Sequence, residues 1–119
     1  MPKPRNYAIY VADMHGSVRN ILDYVQGLDY ARFCKDQKTV DAVLRNFEIL
    51  GEAAGRVPPE MQALAPDIEW RRIKDFRNVV AHFYRGIDLR LVWELVENRL
   101  PHLESALDHL RQKLAAKRP

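Results

Sequence analysis

The chain has 119 residues, of which 47% are hydrophobic and 29% charged. These values are typical of a soluble globular protein with one core, and we expect a single domain over residues 1–119. No apolar run is long enough to cross a bilayer, and no apolar signal core follows the basic start, so we expect a cytoplasmic protein without a membrane partner. The net charge of +3 permits an anionic partner without identifying one. Cys34 is the only cysteine, which excludes an intrachain disulfide.

Apolar residues recur at steps of three and four through most of the chain, which predicts helices rather than strands. We predict helices over residues 7–26, 30–34, 36–55, 59–64, 69–81 and 91–114. Gly27 is a natural stop for the first of them, and Pro101 should kink or split the last. Amphipathic helices joined by short loops predict an all-α, up-and-down bundle.

Each long helix has an apolar stripe that we expect to face the core. The stripes consist of Val11, Met14, Val18, Ile21, Leu22 and Val25; Val40, Val43, Leu44, Phe47, Leu50 and Ala54; Trp70, Ile73, Phe76 and Val80; and Leu91, Val92, Leu95, Val96, Leu100, Leu103, Leu107, Leu110 and Leu114.

Residues 77–86, RNVVAHFYRG, contain the most informative group of polar side chains. Arg77 and Tyr84 are seven apart, and Asn78 and His82 are four apart, so each pair shares a helix face. Arg77 and His82 are five apart and diverge in an unbroken helix. They converge only if the helix distorts or ends near His82, or if two chains supply them.

These residue types suit RNA cleavage without a metal. Histidine exchanges protons near neutral pH, and arginine grips two phosphate oxygens at once. Tyr84 is suited to positioning a phosphate or base, and Asn78 to holding the imidazole in one tautomer. Spacing alone leaves an alternative open, because an Arg, a His and a Tyr at a helix end are commonly capping and packing residues.

Other catalytic signatures are absent from the sequence. No glycine-rich phosphate loop occurs, and neither serine stands in a nucleophile context. His102 and His109, seven apart in the last helix, are typical of surface positions rather than of a metal site. We therefore expect no metal and no cofactor.

The segment 77–84 resembles the RX4-6HXY motif of HEPN-domain ribonuclease toxins, in particular the HepT-like (DUF86) family. The resemblance extends to residues 41–53 (DAVLRNFEILGEA), 68–73 (IEWRRI) and 87–93 (IDLRLVW). An RX4HXY pattern alone is weak, but these flanks in register make the resemblance specific.

The resemblance implies a four- to five-helix, HEPN-like bundle that forms a two-fold symmetric homodimer with both motifs in a shared cleft. It also implies a metal-independent endoribonuclease, the toxin of a type VII (HEPN/MNT) toxin–antitoxin system. Arg77 and His82 would be catalytic and Asn78 supportive. Tyr84 would be both a site residue and the tyrosine to which a minimal nucleotidyltransferase antitoxin adds AMP.

Two further residues, Arg45 and Glu48, are candidates for orienting Arg77 or His82 from the second long helix. The alternative is that Asp41, Arg45, Glu48 and Glu52 form a solvated, mutually paired helix face. A different class of function also stays open: a non-catalytic subunit that helps a nucleotidyltransferase hold its substrate.

Overall fold

The computed structural model describes residues 7–83 and 89–116, without the side chains of Val79, His82 and Phe83. Its helices are α1 (Ala8–Tyr24), α2 (Tyr30–Lys35), α3 (Gln37–Arg56), α4 (Pro59–Gln62), α5 (Trp70–Lys74), α6 (Phe76–Phe83), α7 (Leu89–Asn98) and α8 (Leu100–Ala116). The described ranges contain no strand, and the predicted all-α bundle is confirmed. None of these helices is long and apolar enough to cross a membrane.

Helix α3 is the central element of the bundle and contacts α1, α2, α5 and α6. Its start is fixed by Asp36, whose carboxylate accepts hydrogen bonds from the hydroxyl and the backbone N–H of Thr39, at 2.7 and 3.1 Å. These hydrogen bonds favour the ionised carboxylate and hold the pKa of Asp36 below its ordinary value. The cap thus fixes the residue at which α3 begins.

The core lies between α3 and the helices around it. The α1, α3 and α5–α6 stripes are buried as predicted, except that Leu22 is only partly buried. Leu91, which was predicted to be in the core, is 42% exposed, because the buried face of α7 is formed by Val92, Trp93 and Val96. Trp93 packs on Phe33 of α2 with ring centroids 5.0 Å apart, so α7 is joined to α2 as well as to α8.

One buried polar side chain joins α1 to α3. Asn46 is 7% exposed, and its Nδ2 donates to the carbonyl of Ala42 at 2.9 Å. Its Oδ1 accepts from Nδ2 of Asn20 at 3.2 Å. With both its donor and its acceptor in use, this amide orients α1 on α3 without an unsatisfied polar group.

Two of the predicted helices are each broken into two in the structure, although the apolar periodicity of the sequence continues through both breaks. The predicted helix 69–81 becomes α5 and α6, separated at Asp75, whose N–H donates to the carbonyls of both Arg71 and Arg72. The last predicted helix splits at Arg99 into α7 and α8, which confirms the effect expected of Pro101. Proline lacks an N–H and is accepted in the first turn of a helix, so Pro101 lies just inside α8 rather than at the break.

Candidate functional site

A polar cleft lies where α3 faces α5 and α6. Its walls are formed by Glu48, Glu52, Lys74, Arg77, Asn78, Val80 and Ala81. It continues along α3 into a second lobe that shares Glu52, Lys74 and Arg77 and adds Gly51, Gly55 and Arg56. We call the two lobes together the α3–α6 cleft.

The close approach of the helices at this cleft depends on Gly51. A methyl group at position 51 would lie 2.8 Å from Cγ of Arg77, 3.2 Å from the backbone nitrogen of Arg77 and 3.2 Å from the carbonyl oxygen of Ile73. Two of these three contacts are to backbone atoms, which cannot move without shifting the helix. Glycine therefore allows the start of α6 to rest directly on α3, with the stem of Arg77 against the α3 backbone.

Apolar packing holds this contact in place from the buried side. Phe47, one turn before Gly51, meets Phe76 edge to face, with ring centroids 5.4 Å apart. Ile73, Phe76 and Val80 are each 5% exposed or less, so α5 and α6 both have a side anchored in the core. Phe76 directly precedes Arg77, and its burial places the arginine on the cleft side of α6.

The carboxylates on one wall of the cleft have ion-pair partners, whereas the cations on the other wall have none among the described residues. On α3, Glu48 pairs with Arg45 at 3.1 Å and Glu52 pairs with Arg56 at 3.6 Å. Lys74 and Arg77, on the opposite wall, form no ion pair with any residue that the structure describes. Among the described residues, the cleft and its rim thus hold four cations against two carboxylates, and the two cations that have no partner there are both on α5–α6.

The structure brings some of the site residues predicted from the sequence together in this cleft. Arg77, Asn78 and Glu48 line the same cleft. Arg45 is not among the lining residues, and its link to the cleft is its ion pair with Glu48, in which its side chain is 69% exposed. His82 belongs to α6 and follows the cleft residue Ala81, but its side chain is outside the described part. Tyr84 lies outside the described residues altogether.

A second groove, between α5–α6 and α7–α8, is more apolar. It is lined by residues that include Ile68, Phe76, Leu95 and Leu103, with His102 at its polar edge. Among the described residues, no group of three or more His, Cys, Asp or Glu side chains is placed to hold a metal ion. The α3–α6 cleft, with the cations of Lys74 and Arg77 and the amide of Asn78, is the better candidate for binding an anionic substrate.

Several cleft residues were not predicted as site residues, and Gly51, Glu52 and Lys74 are among them. The importance of Gly51 could have been inferred from the sequence, since Gly51 and Gly55 are four residues apart inside a helix. Interior glycine costs about 1 kcal/mol relative to alanine, and two glycines on one face indicate close packing against another element. Lys74 has no comparable signal, because its position depends on how α5 packs on α3.

The family model described as "Ribonuclease HepT-like" matches residues 14–110, which include α3, the α3–α6 cleft and the whole RX4HXY segment. The chain therefore belongs to the HepT-like family of HEPN ribonucleases. No solved structure matches the chain.

Three curated relatives are similar over most of their length. A Thermococcus cleftensis protein named "Probable ribonuclease HepT" is 32% identical over 108 residues, covering 91% of this chain and 98% of the relative. A Methanocaldococcus jannaschii protein named as a "Putative RNase" is 29% identical and covers 86% of this chain and 84% of its own length. A Caldanaerobacter subterraneus protein, also named as a "Putative RNase", is 28% identical, and the match covers 95% of this chain and 98% of the relative.

We predict opposite effects on stability for alanine at the two cleft glycines. Gly51→Ala should lower the free energy of unfolding by about 1–3 kcal/mol, because the new methyl overpacks against backbone atoms. Gly55→Ala should raise it by about 0.5–1 kcal/mol, because its methyl meets only Cε of Lys74, at an ordinary 3.8 Å, and alanine favours the helix.

Urea unfolding followed by circular dichroism measures both changes. Gly55→Ala is the matched control, since it makes the same substitution on the same face of α3. Equal effects at the two positions would show that the close approach at Gly51 does not constrain the packing.

Proposed function

We propose that this protein is a metal-independent endoribonuclease that cleaves RNA in the α3–α6 cleft, with Arg77 and His82 as catalytic residues. The observation that supports this most directly is Arg77, which has no ion pair among the described residues and stands beside Asn78 on α6, the helix that also contains His82. The membership in the ribonuclease HepT-like family supports the same activity.

The reaction needs three chemical roles, and the motif supplies residue types for each. A base takes the proton of the 2′-hydroxyl as its oxygen attacks the adjacent phosphorus. The bond from phosphorus to the 5′-oxygen breaks, and an acid protonates that oxygen, which leaves a 2′,3′-cyclic phosphate and a 5′-hydroxyl. Histidine serves for the proton transfers, and the guanidinium of Arg77 stabilises the negative charge that develops on the phosphorane oxygens.

The second histidine that such a mechanism calls for would come from a second copy of the chain. A two-fold dimer places the same residues of both copies around one axis, so two His82 side chains would face one cleft. One would act as base and the other as acid. This arrangement also removes the need for Arg77 and His82 of the same chain to share a helix face.

We further propose that the enzyme is the toxin of a HEPN/MNT toxin–antitoxin pair. Its partner would be a minimal nucleotidyltransferase that transfers AMP to the hydroxyl of Tyr84. AMP at the motif tyrosine adds bulk and negative charge next to the residues that must receive an RNA phosphate. Repulsion between that charge and the substrate would keep RNA out of the cleft.

We expect the purified protein to cleave total RNA in the presence of EDTA. His82→Ala and Arg77→Ala should each lower the cleavage rate at least about 10²-fold, because each removes a proton-transfer or charge-stabilising group. Cleavage is measured on denaturing gels, with circular dichroism to show that each variant is folded. His109→Ala is the matched control, since His109 is an exposed histidine of α8 outside the cleft. Full activity in the His82→Ala variant would contradict the proposal.

We expect co-expression with a minimal nucleotidyltransferase and ATP to raise the intact mass of the protein in steps of one AMP. The increase should be absent from Tyr84→Phe, which lacks the acceptor oxygen. It should persist in Tyr7→Phe, a control tyrosine at the start of α1. Mass spectrometry of the whole protein gives the answer directly, and an unchanged increase in Tyr84→Phe would assign the modification to another residue.

A further inference from the structure

Lys74 occupies a position in the α3–α6 cleft that the RX4HXY motif does not include. It is the last residue of α5 and precedes Arg77 by three residues across the break at Asp75. Lys74 and Arg77 line both lobes of the cleft, which are joined along the surface of α3. An elongated ligand that lay along this cleft would therefore pass both residues.

The side chain of Lys74 lies against α3. Its Cε is 3.8 Å from where a methyl at Gly55 would be, an ordinary packing distance that leaves room for the lysine stem over the bare helix. Gly51 and Gly55 thus face neighbouring cations, since the stem of Arg77 packs closely on the first and Cε of Lys74 lies near the second. Because Lys74 lines both lobes, its ammonium, one bond beyond Cε, lies at the cleft.

The ammonium of Lys74 is available for a ligand. Glu52 lines the same two lobes but pairs with Arg56, one turn along α3. Within residues 7–83 and 89–116, Lys74 has neither an ion pair nor a side-chain hydrogen bond. By contrast, Arg72 on the same helix is paired with Glu69 at 3.4 Å.

The chemistry of a polynucleotide fits two neighbouring cations of different kinds. Arginine grips a phosphate through two parallel hydrogen bonds, which suits the phosphate that reacts. Lysine is a point charge that attracts a phosphate without demanding one orientation, which suits a phosphate that is only held. Such a contact adds affinity and register but does not read the base.

We propose that Lys74 binds an RNA phosphate adjacent to the one held by Arg77, so that the α3–α6 cleft grips two phosphates of a single strand. Lys74 is a substrate-binding residue in this account and takes no part in proton transfer. The inference rests on the proposed function, because it assumes that RNA is the ligand of the cleft.

The test is the affinity for a fluorescent, single-stranded, 2′-O-methylated RNA oligonucleotide of mixed sequence. This probe has no free 2′-hydroxyl for the proposed cleavage, so binding is measured separately from catalysis. Anisotropy titrations over a series of salt concentrations give the dissociation constant and its salt dependence. Lys74→Ala should weaken binding about five- to tenfold at low salt, and should reduce the slope of log affinity against log salt by about 0.7.

Two controls isolate the charge at position 74. Lys74→Arg keeps the positive charge and should bind within about twofold of wild type. Lys35→Ala removes an exposed lysine from α2, away from the cleft, and should keep the wild-type slope. Lys74→Gln retains part of the stem over Gly55 and replaces the alanine variant if that variant does not fold.

The outcomes separate this inference from the proposed nuclease activity. A Lys74→Ala slope equal to that of wild type would overturn the role of Lys74, even if the protein cleaves RNA in EDTA. An equal loss in Lys74→Arg would also overturn it, since packing rather than charge would then be responsible. Absence of binding by the wild-type protein would overturn it as well, and the cleavage assay would show independently whether the proposed activity stands.

Discussion

The candidate site depends on the contact between the α3 backbone at Gly51 and the start of α6. A side chain at position 51 would meet Cγ and the backbone nitrogen of Arg77 and the carbonyl of Ile73 at 3.2 Å or less. Core residues on the other side, Phe47 and Phe76, hold the two helices together at this distance. The arginine is therefore supported along its stem by a rigid helix rather than by a loop. A supported guanidinium loses less freedom when it binds a phosphate, and preorganisation of this kind favours binding and catalysis.

The distribution of charge follows from the same arrangement. The two cleft carboxylates of α3, Glu48 and Glu52, pair with Arg45 and Arg56 one turn away on α3 rather than with the opposite wall. Exposed ion pairs such as these contribute little to stability, typically about 0–1 kcal/mol. Their effect here is on the cleft, since they leave Lys74 and Arg77 to attract an anion. The exposed Arg45–Glu48 pair, which belongs to the solvated face of α3, is thus also one edge of the cleft.

Periodicity was enough to predict the helices and most of the core, because burial of one face imposes a repeat that the sequence must keep. It did not predict the break at Asp75, since the apolar stripe from Trp70 to Val80 runs through it without interruption. The resemblance of the RX4HXY segment directed attention to Arg77 and Asn78, which line the cleft. Lys74 was missed because its importance arises from the distance between two helices, which no local pattern encodes. Gly51 was missed although a signal was present, since its spacing of four residues from Gly55 within a helix indicates close packing.

The most direct test of this account is the rate of RNA cleavage by Gly51→Ala beside Gly55→Ala, at a temperature where circular dichroism shows both to be folded. If the contact at Gly51 positions Arg77 for catalysis, Gly51→Ala should lose most of the wild-type rate, and Gly55→Ala should keep most of it. Wild-type cleavage by a folded Gly51→Ala variant, or no cleavage by the wild-type protein, would contradict the claim that this contact builds a ribonuclease site.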